Sequence, residues 1–107
     1  LLIFPFVACY NPIFTINVHK HKGIKACVED QNGMIGLDFH ANINKEIFHP
    51  EDGEISGTVT SPEEGIWCYF DHKSSIKLND RIAYWYMIRK NGSALISSVK
   101  SKIINRE

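Results

Sequence analysis

Charge of one sign is not in surplus anywhere in this 107-residue chain: Lys+Arg and Asp+Glu are each 12, for a formal net charge of zero. That argues against holding nucleic acid by phosphate neutralisation, and against a polybasic membrane-surface binder, since both need a basic excess. A neutral ligand or a protein partner fits better. Helical periodicity of useful length is missing, as are internal repeats and low-complexity segments. No Cys-x-x-Cys occurs among the three cysteines, which leaves out zinc ribbons and thioredoxin-type motifs. There is no glycine-rich phosphate loop and no acidic calcium loop. Nor does the spacing of serine, histidine and aspartate suggest a nucleophilic triad.

What is present is an ordinary globular composition, 44% hydrophobic and 22% charged, long enough for one domain with a real core. Residues 1–9, Leu1 to Cys9, are apolar and uncharged, and a run of about nine is too short to span a bilayer. With the small residues Ala8 and Cys9 at its end and no starting methionine, the run reads as the tail of a secretory signal peptide. A buried N-terminal strand is one alternative. A bacterial lipoprotein signal is another, since Phe-Val-Ala-Cys loosely resembles a lipidation site. The signal reading implies a secreted, extracellular protein with a domain over 10–100, a C-terminal tail or linker over 101–107, and no membrane contact once the signal is removed. Cys27 and Cys68 then remain. In an oxidising compartment they can pair, or they can stay as buried free thiols; nothing in the sequence brings their strands together.

Short alternating runs separated by turn residues follow. Residues 12–19 read as a strand with Phe14, Ile16 and Val18 inward. Ile24 to Glu29 is a second, with Ile24, Ala26 and Val28 inward, closed by the Asp30-Gln31-Asn32-Gly33 turn. Met34 to Asn44 alternates most cleanly: Ile35, Leu37, Phe39, Ala41 and Ile43 on one face, Gly36, Asp38, His40, Asn42 and Asn44 on the other. Residues 45–54, with Pro50 and Gly53, are a loop. Ile55 to Thr60 is a modest strand. In Ile66 to Asp71 the natural core side is Ile66, Cys68 and Phe70, leaving Trp67 and Tyr69 outward beside Asp71. Arg81 to Arg89 is apolar on both faces and reads as a central strand. An Asn91-Gly92 turn leads into a last strand over Ala94 to Val99, and Lys100 to Glu107 is expected to fray. About seven short strands with regular turns predict an antiparallel β-sandwich.

Candidate chemistry is sparse. His19 and His21 have i, i+2 spacing, but a metal site needs three or four convergent ligands and no third can be named, so no metal and no cofactor is expected. The acidic pairs Glu51-Asp52 and Glu63-Glu64 lie in loops, whereas a glycosidase holds two carboxylates on rigid elements in a cleft; the chain does not read as an enzyme. Outward aromatics beside hydrogen-bonding side chains suit a sugar, whose C–H faces stack on an indole while its edge hydroxyls take donors and acceptors. Trp67 and Tyr69 supply the first; Asp71, His72, Asp38 and His40 supply the second. From periodicity alone, Trp67 is equally well a core residue. Asn91-Gly92-Ser93 is a glycosylation sequon.

The blocks Gly65 to His72 and Lys77 to Ile88 are similar, with no gap between them, to Gly-x-Trp-Thr-Phe-Arg-Asp-Arg and Lys-Pro-Gly-Asp-x-Leu-Tyr-Tyr-Trp-Thr-Tyr-Val. Gly33 to Glu46 is similar to Gly-Ile-Ser-Leu-Phe-Ala-Phe-His-Gly-x-x-Asn-Glu. Lys20 to Ile24 answers to Pro-Lys-Gly-Phe. These are patterns of the N-terminal domain of insect β-1,3-glucan recognition proteins (Gram-negative-bacteria-binding proteins), carbohydrate-binding module family 39, and the chain resembles that family from about Pro12 to Gly92. The resemblance implies a secreted immunoglobulin-like sandwich that binds β-1,3-glucan without catalysis, triggers innate immunity and acts upstream of serine-protease cascade proteins. It places the family's ligand-binding tryptophan on Trp67 and the following acid on Asp71. The chain departs from the pattern at Phe70 and His72, where the family has arginines, and at Ile55-Ser56-Gly57-Thr58, where it has Trp-Ser-Arg-Asp. An extracellular immunoglobulin-like domain that recognises protein through its sheet surfaces or edges is the other reading of the same sandwich.

Overall fold

The computed structural model describes residues 14–18 and 23–104. The expected signal segment, His19 and His21 lie outside the described residues. Eight strands run in chain order: β1 Phe14–Val18, β2 Ile24–Glu29, β3 Met34–Ile43, β4 Ile55–Val59, β5 Ile66–Asp71, β6 Arg81–Lys90, β7 Ser93–Ile96 and β8 Lys100–Ile103. There is no helix among the described residues. The strands form two antiparallel sheets. One has the order β1-β2-β5; the other has the order β4-β3-β6-β7, with β8 also paired to β6. The fold is all-β.

The alternation read in β2 and β3 is what builds the interior. Ile24, Ala26 and Val28 of the first sheet meet Leu37, Phe39 and Ala41 of the second, all 0–1% exposed. From β6, Ile82, Tyr84, Tyr86 and Ile88 point the same way. Phe14 joins them by stacking on Tyr86, with centroids 4.0 Å apart. Burial of such side chains contributes roughly 1.5–3 kcal/mol each.

Three expectations are corrected. The first concerns β5. Trp67 is 2% exposed and belongs to the interior, while Ile66 and Phe70 are 42% and 43% exposed. The cause is register. β5 pairs with β2 so that Ala26 faces Tyr69 and Val28 faces Trp67, and directly paired residues share a face. The small Ala26 and Val28 leave room for two large rings on the inner side. Gly57 of β4 leaves more, because a Cβ there would collide with the Tyr69 ring. The Trp67 indole N–H is satisfied by donating to Asp30 Oδ1 at 2.8 Å.

The second correction is Ile35, expected inward but 55% exposed. The pairing of β3 with β6 shifts between Met34 and Gly36; this bulge turns Met34 inward and Ile35 outward. The third is the C-terminal stretch. Lys100–Ile103 pairs with β6 instead of fraying, and Ile104 is buried. The backbone of Ile104 is held by hydrogen bonds with Asn79 and Asp80, which ties the segment down although Lys-Ser-Lys-Ile has no apolar alternation.

β6 is central, as its two apolar faces suggested. Its outer face is covered by the loop 44–54, which lays Ile47 against Ala83 and Trp85. Both ends of that loop are pinned by buried Asn42, whose side chain donates to Glu46 O at 2.9 Å and accepts from Glu54 N at 2.8 Å.

Candidate carbohydrate-binding face

The residues singled out from the sequence are not brought together. Trp67 and Tyr69 face the interior; the Tyr69 hydroxyl donates to Ser56 O at 3.2 Å, and burial, with the nearby Asp71, pushes its pKa up. Asp71 shares the inward side of β5 opposite Ile24 and accepts from Ser74 N–H at 3.0 Å. Asp38 and His40 lie on the outer face of the other sheet, with the whole core between them and the outer side of β5.

Asp38 is already committed there. Arg89 donates to both of its oxygens at 2.8 and 3.0 Å, and Thr58 donates at 2.7 Å. Burial works against the charge of Asp38, but these hydrogen bonds outweigh it and hold the carboxyl below its ordinary value. His40 stacks on Trp85 with centroids 4.3 Å apart, and its Nδ1 is 3.1 Å from Ser56 Oγ. Trp85 in turn donates its indole N–H to Glu51 O at 2.9 Å. This face is filled by its own groups.

The outer face of β1-β2-β5 is different. The same register that buries Trp67 lines up three outward cross-strand pairs: Lys25 with Phe70, Cys27 with Cys68, and Glu29 with Ile66. Thr15 and Asn17 of β1 continue the row, opposite Cys27 and Lys25. Glu63 and Glu64, from the turn before β5, rise at one end. Together these residues line an open depression of about 660 Å³. Cys27 and Cys68 are joined by a disulfide in its floor. The Phe70 ring stands half out of the surface. Lys25 Nζ lies 5.3 Å from its centroid, a cation–π arrangement, and the His72 ring is parallel to it within 3° at 5.7 Å.

Chemically this is an apolar, aromatic floor edged by amide, hydroxyl, ammonium and carboxylate groups. It can take a flat C–H face on Phe70 and hydrogen-bond the hydroxyls at its rim. Of the candidate sugar-binding residues, His72 reaches this face, stacked against Phe70 beside the depression. Phe70, Lys25, Asn17, Thr15, Glu63 and Glu64 were missed because β5 was read the wrong way round. The available signal was the cysteine pair: if Cys27 bonds Cys68, and Cys27 lies outward between Ala26 and Val28, then Cys68 and Phe70 are outward too.

A family model, CBM39, described as "Carbohydrate binding domain (family 32)", matches residues 10–106. The chain is 32% identical over 71 residues to beta-1,3-glucan-binding protein 2 of Manduca sexta, which is 66% of this chain and 14% of that protein. It is 28% identical over 74 residues to the beta-1,3-glucan-binding protein of Tenebrio molitor, 69% of this chain and 15% of that protein. It is 26% identical over 94 residues to Gram-negative bacteria-binding protein 3 of Drosophila melanogaster, 88% of this chain and 19% of that protein. The chain thus spans less than a fifth of the curated relatives it matches. Among solved structures, the crystal structure of a Br derivative of BhCBM56 superposes with a TM-score of 0.65 at 12% identity, covering 91% of this chain and 96% of that one; that likeness speaks to the fold. With a family model matched along nearly all of its length, the chain belongs to the CBM39 family of carbohydrate-binding domains.

Proposed function

We propose that this domain binds β-1,3-glucan without catalysis, through the outer face of β1-β2-β5. The observation that carries the reading is the half-exposed Phe70 ring, flanked by Lys25 and His72 over an open depression, in a chain whose relatives are named for glucan binding. Phe70 is the stacking platform. Lys25, Asn17, Thr15 and the Glu63-Glu64 turn bond hydroxyls at its edges. Each contact is weak, and affinity comes from repetition along an ordered polysaccharide.

Around that core we place the wider role: a secreted pattern-recognition module of innate immunity whose signal passes to serine-protease cascade proteins, with Asn91, exposed in the β6–β7 turn, as the glycosylation acceptor. We also read the sandwich as immunoglobulin-like. In support, β1-β2-β5 and β4-β3-β6-β7 follow the A-B-E and C′-C-F-G strand orders of that fold.

Retention on insoluble curdlan tests the glucan reading. Wild type is expected in the pellet. Phe70→Ala is expected to lose roughly tenfold in affinity, the scale of one aromatic contact, with an unchanged unfolding midpoint because the ring is already half in water. No retention of wild type overturns the reading and favours a protein partner; release of sugar from laminarin overturns the non-catalytic part.

A further inference from the structure

The disulfide occupies an unusual place for a structural cross-link. It joins directly opposed residues of neighbouring strands, so it ties no sheet to the other. The two sheets are held by the hydrophobic core on the opposite side of β2 and β5. On the outer side the bond lies in the floor of the depression, between the Lys25–Phe70 pair and the Glu29–Ile66 pair. Phe70 and Lys25 are each two residues from one of its cysteines, on the same face. β5 is an edge strand of its sheet, with β2 as its one strand partner in that sheet among the described residues.

We propose that the Cys27–Cys68 disulfide is a positioning element of the ligand face: it clamps the edge strand β5 to β2, so that Phe70 is presented beside Lys25 before the ligand arrives. The inference rests on the glucan reading of this face. Preorganisation raises affinity by removing the cost of ordering side chains on binding. Breaking the bond frees β5 to shift and twist against β2, and the ligand must then order Phe70 and Lys25 itself. Glucan binding on this face is therefore redox-sensitive. The bond also closes a sequence separation of 41 residues, so its loss lowers the melting temperature, but the core remains intact at room temperature.

The experiment compares laminarin affinity of the oxidised protein, the same protein after reduction and blocking of its thiols, and the Cys27→Ser/Cys68→Ser variant, all well below their melting temperatures. Far-UV circular dichroism and the emission of the buried tryptophans report the fold in each sample. Oxidised protein is expected to bind. The reduced and double-serine forms are expected to keep the folded signals and to bind roughly five- to tenfold more weakly. Treating reduced, unblocked protein with oxidised glutathione, which takes up the two electrons as the disulfide re-forms, should restore affinity to wild type and leave the variant weak. Equal affinity in oxidised and reduced folded protein overturns the proposal. Loss of the folded signals on reduction also overturns it, because the bond would then be a staple of the fold. An oxidised protein that binds no laminarin removes the glucan reading itself and this inference with it.

Discussion

The outer faces of the two sheets carry similar raw material and end up differently. Each presents aromatic, histidine and charged side chains on central or edge strands. On the five-stranded side, the loop 44–54 folds back over the sheet, and Trp85 is packed beneath it at 4% exposure, with His40 and His49 against its ring. On the three-stranded side Phe70 stays open, 43% exposed, and lines the depression among the described residues. An outward aromatic is a platform only if no segment of its own chain is long enough and suitably anchored to cover it. Here the anchor is Asn42, a polar residue buried on the outer face of β3.

The strongest test of this contrast removes the covered ring. Trp85→Ala leaves a cavity under the loop and is expected to cost about 3–5 kcal/mol of stability, read by urea unfolding; Phe70→Ala should leave that measurement unmoved. A loss below 1 kcal/mol for Trp85→Ala would mean the loop does not seal that face. Next is the anchor. Asn42→Ala strips the loop of both pins and should cost about 1–3 kcal/mol, with faster proteolysis within 44–54. Laminarin affinity should be unchanged, since the binding face is on the other side of the core; a drop in affinity would relocate the site.

The smallest effect concerns Asp38. Its folded pKa lies below the ordinary 3.8, so the Arg89–Asp38 pair contributes stability that is fully present above about that pH and is lost as pH falls through the folded value. Asp38→Asn should flatten this acid limb of the stability curve while changing stability at neutral pH by no more than about 1 kcal/mol, Arg89 being half-exposed. An acid limb identical to wild type would show that the Arg89 and Thr58 hydrogen bonds do not hold the Asp38 carboxyl below its ordinary value.

Much of the framework was legible in the residues. β2 and β3 alternate with one apolar face, and Asp30-Gln31-Asn32-Gly33 and Asn91-Gly92 mark turns that the chain makes. The bulge at Met34 was not legible, because Ile35 continues the apolar alternation and only pairing with β6 displaces it. β8 was not legible either: its four exposed residues carry no pattern, and only an available edge beside β6 makes them a strand. The binding face was hidden for a related reason. Ile66 to Asp71 carries large apolar residues on both sides, so the alternation that makes Ile66, Cys68 and Phe70 the natural core side is weak, and cross-strand pairing with β2 overrides it.

The residue order alone therefore settled the local matters: extended segments, tight turns, and the inward sides of strands whose two faces differ in polarity. The fold settled which side of β5 meets water, that two cysteines 41 positions apart face each other, and that one outward aromatic is sheltered while another is free. Those outcomes depend on which residue sits opposite which across a sheet. A one-residue change in that pairing would exchange Trp67 for Phe70 without altering a single letter of the chain.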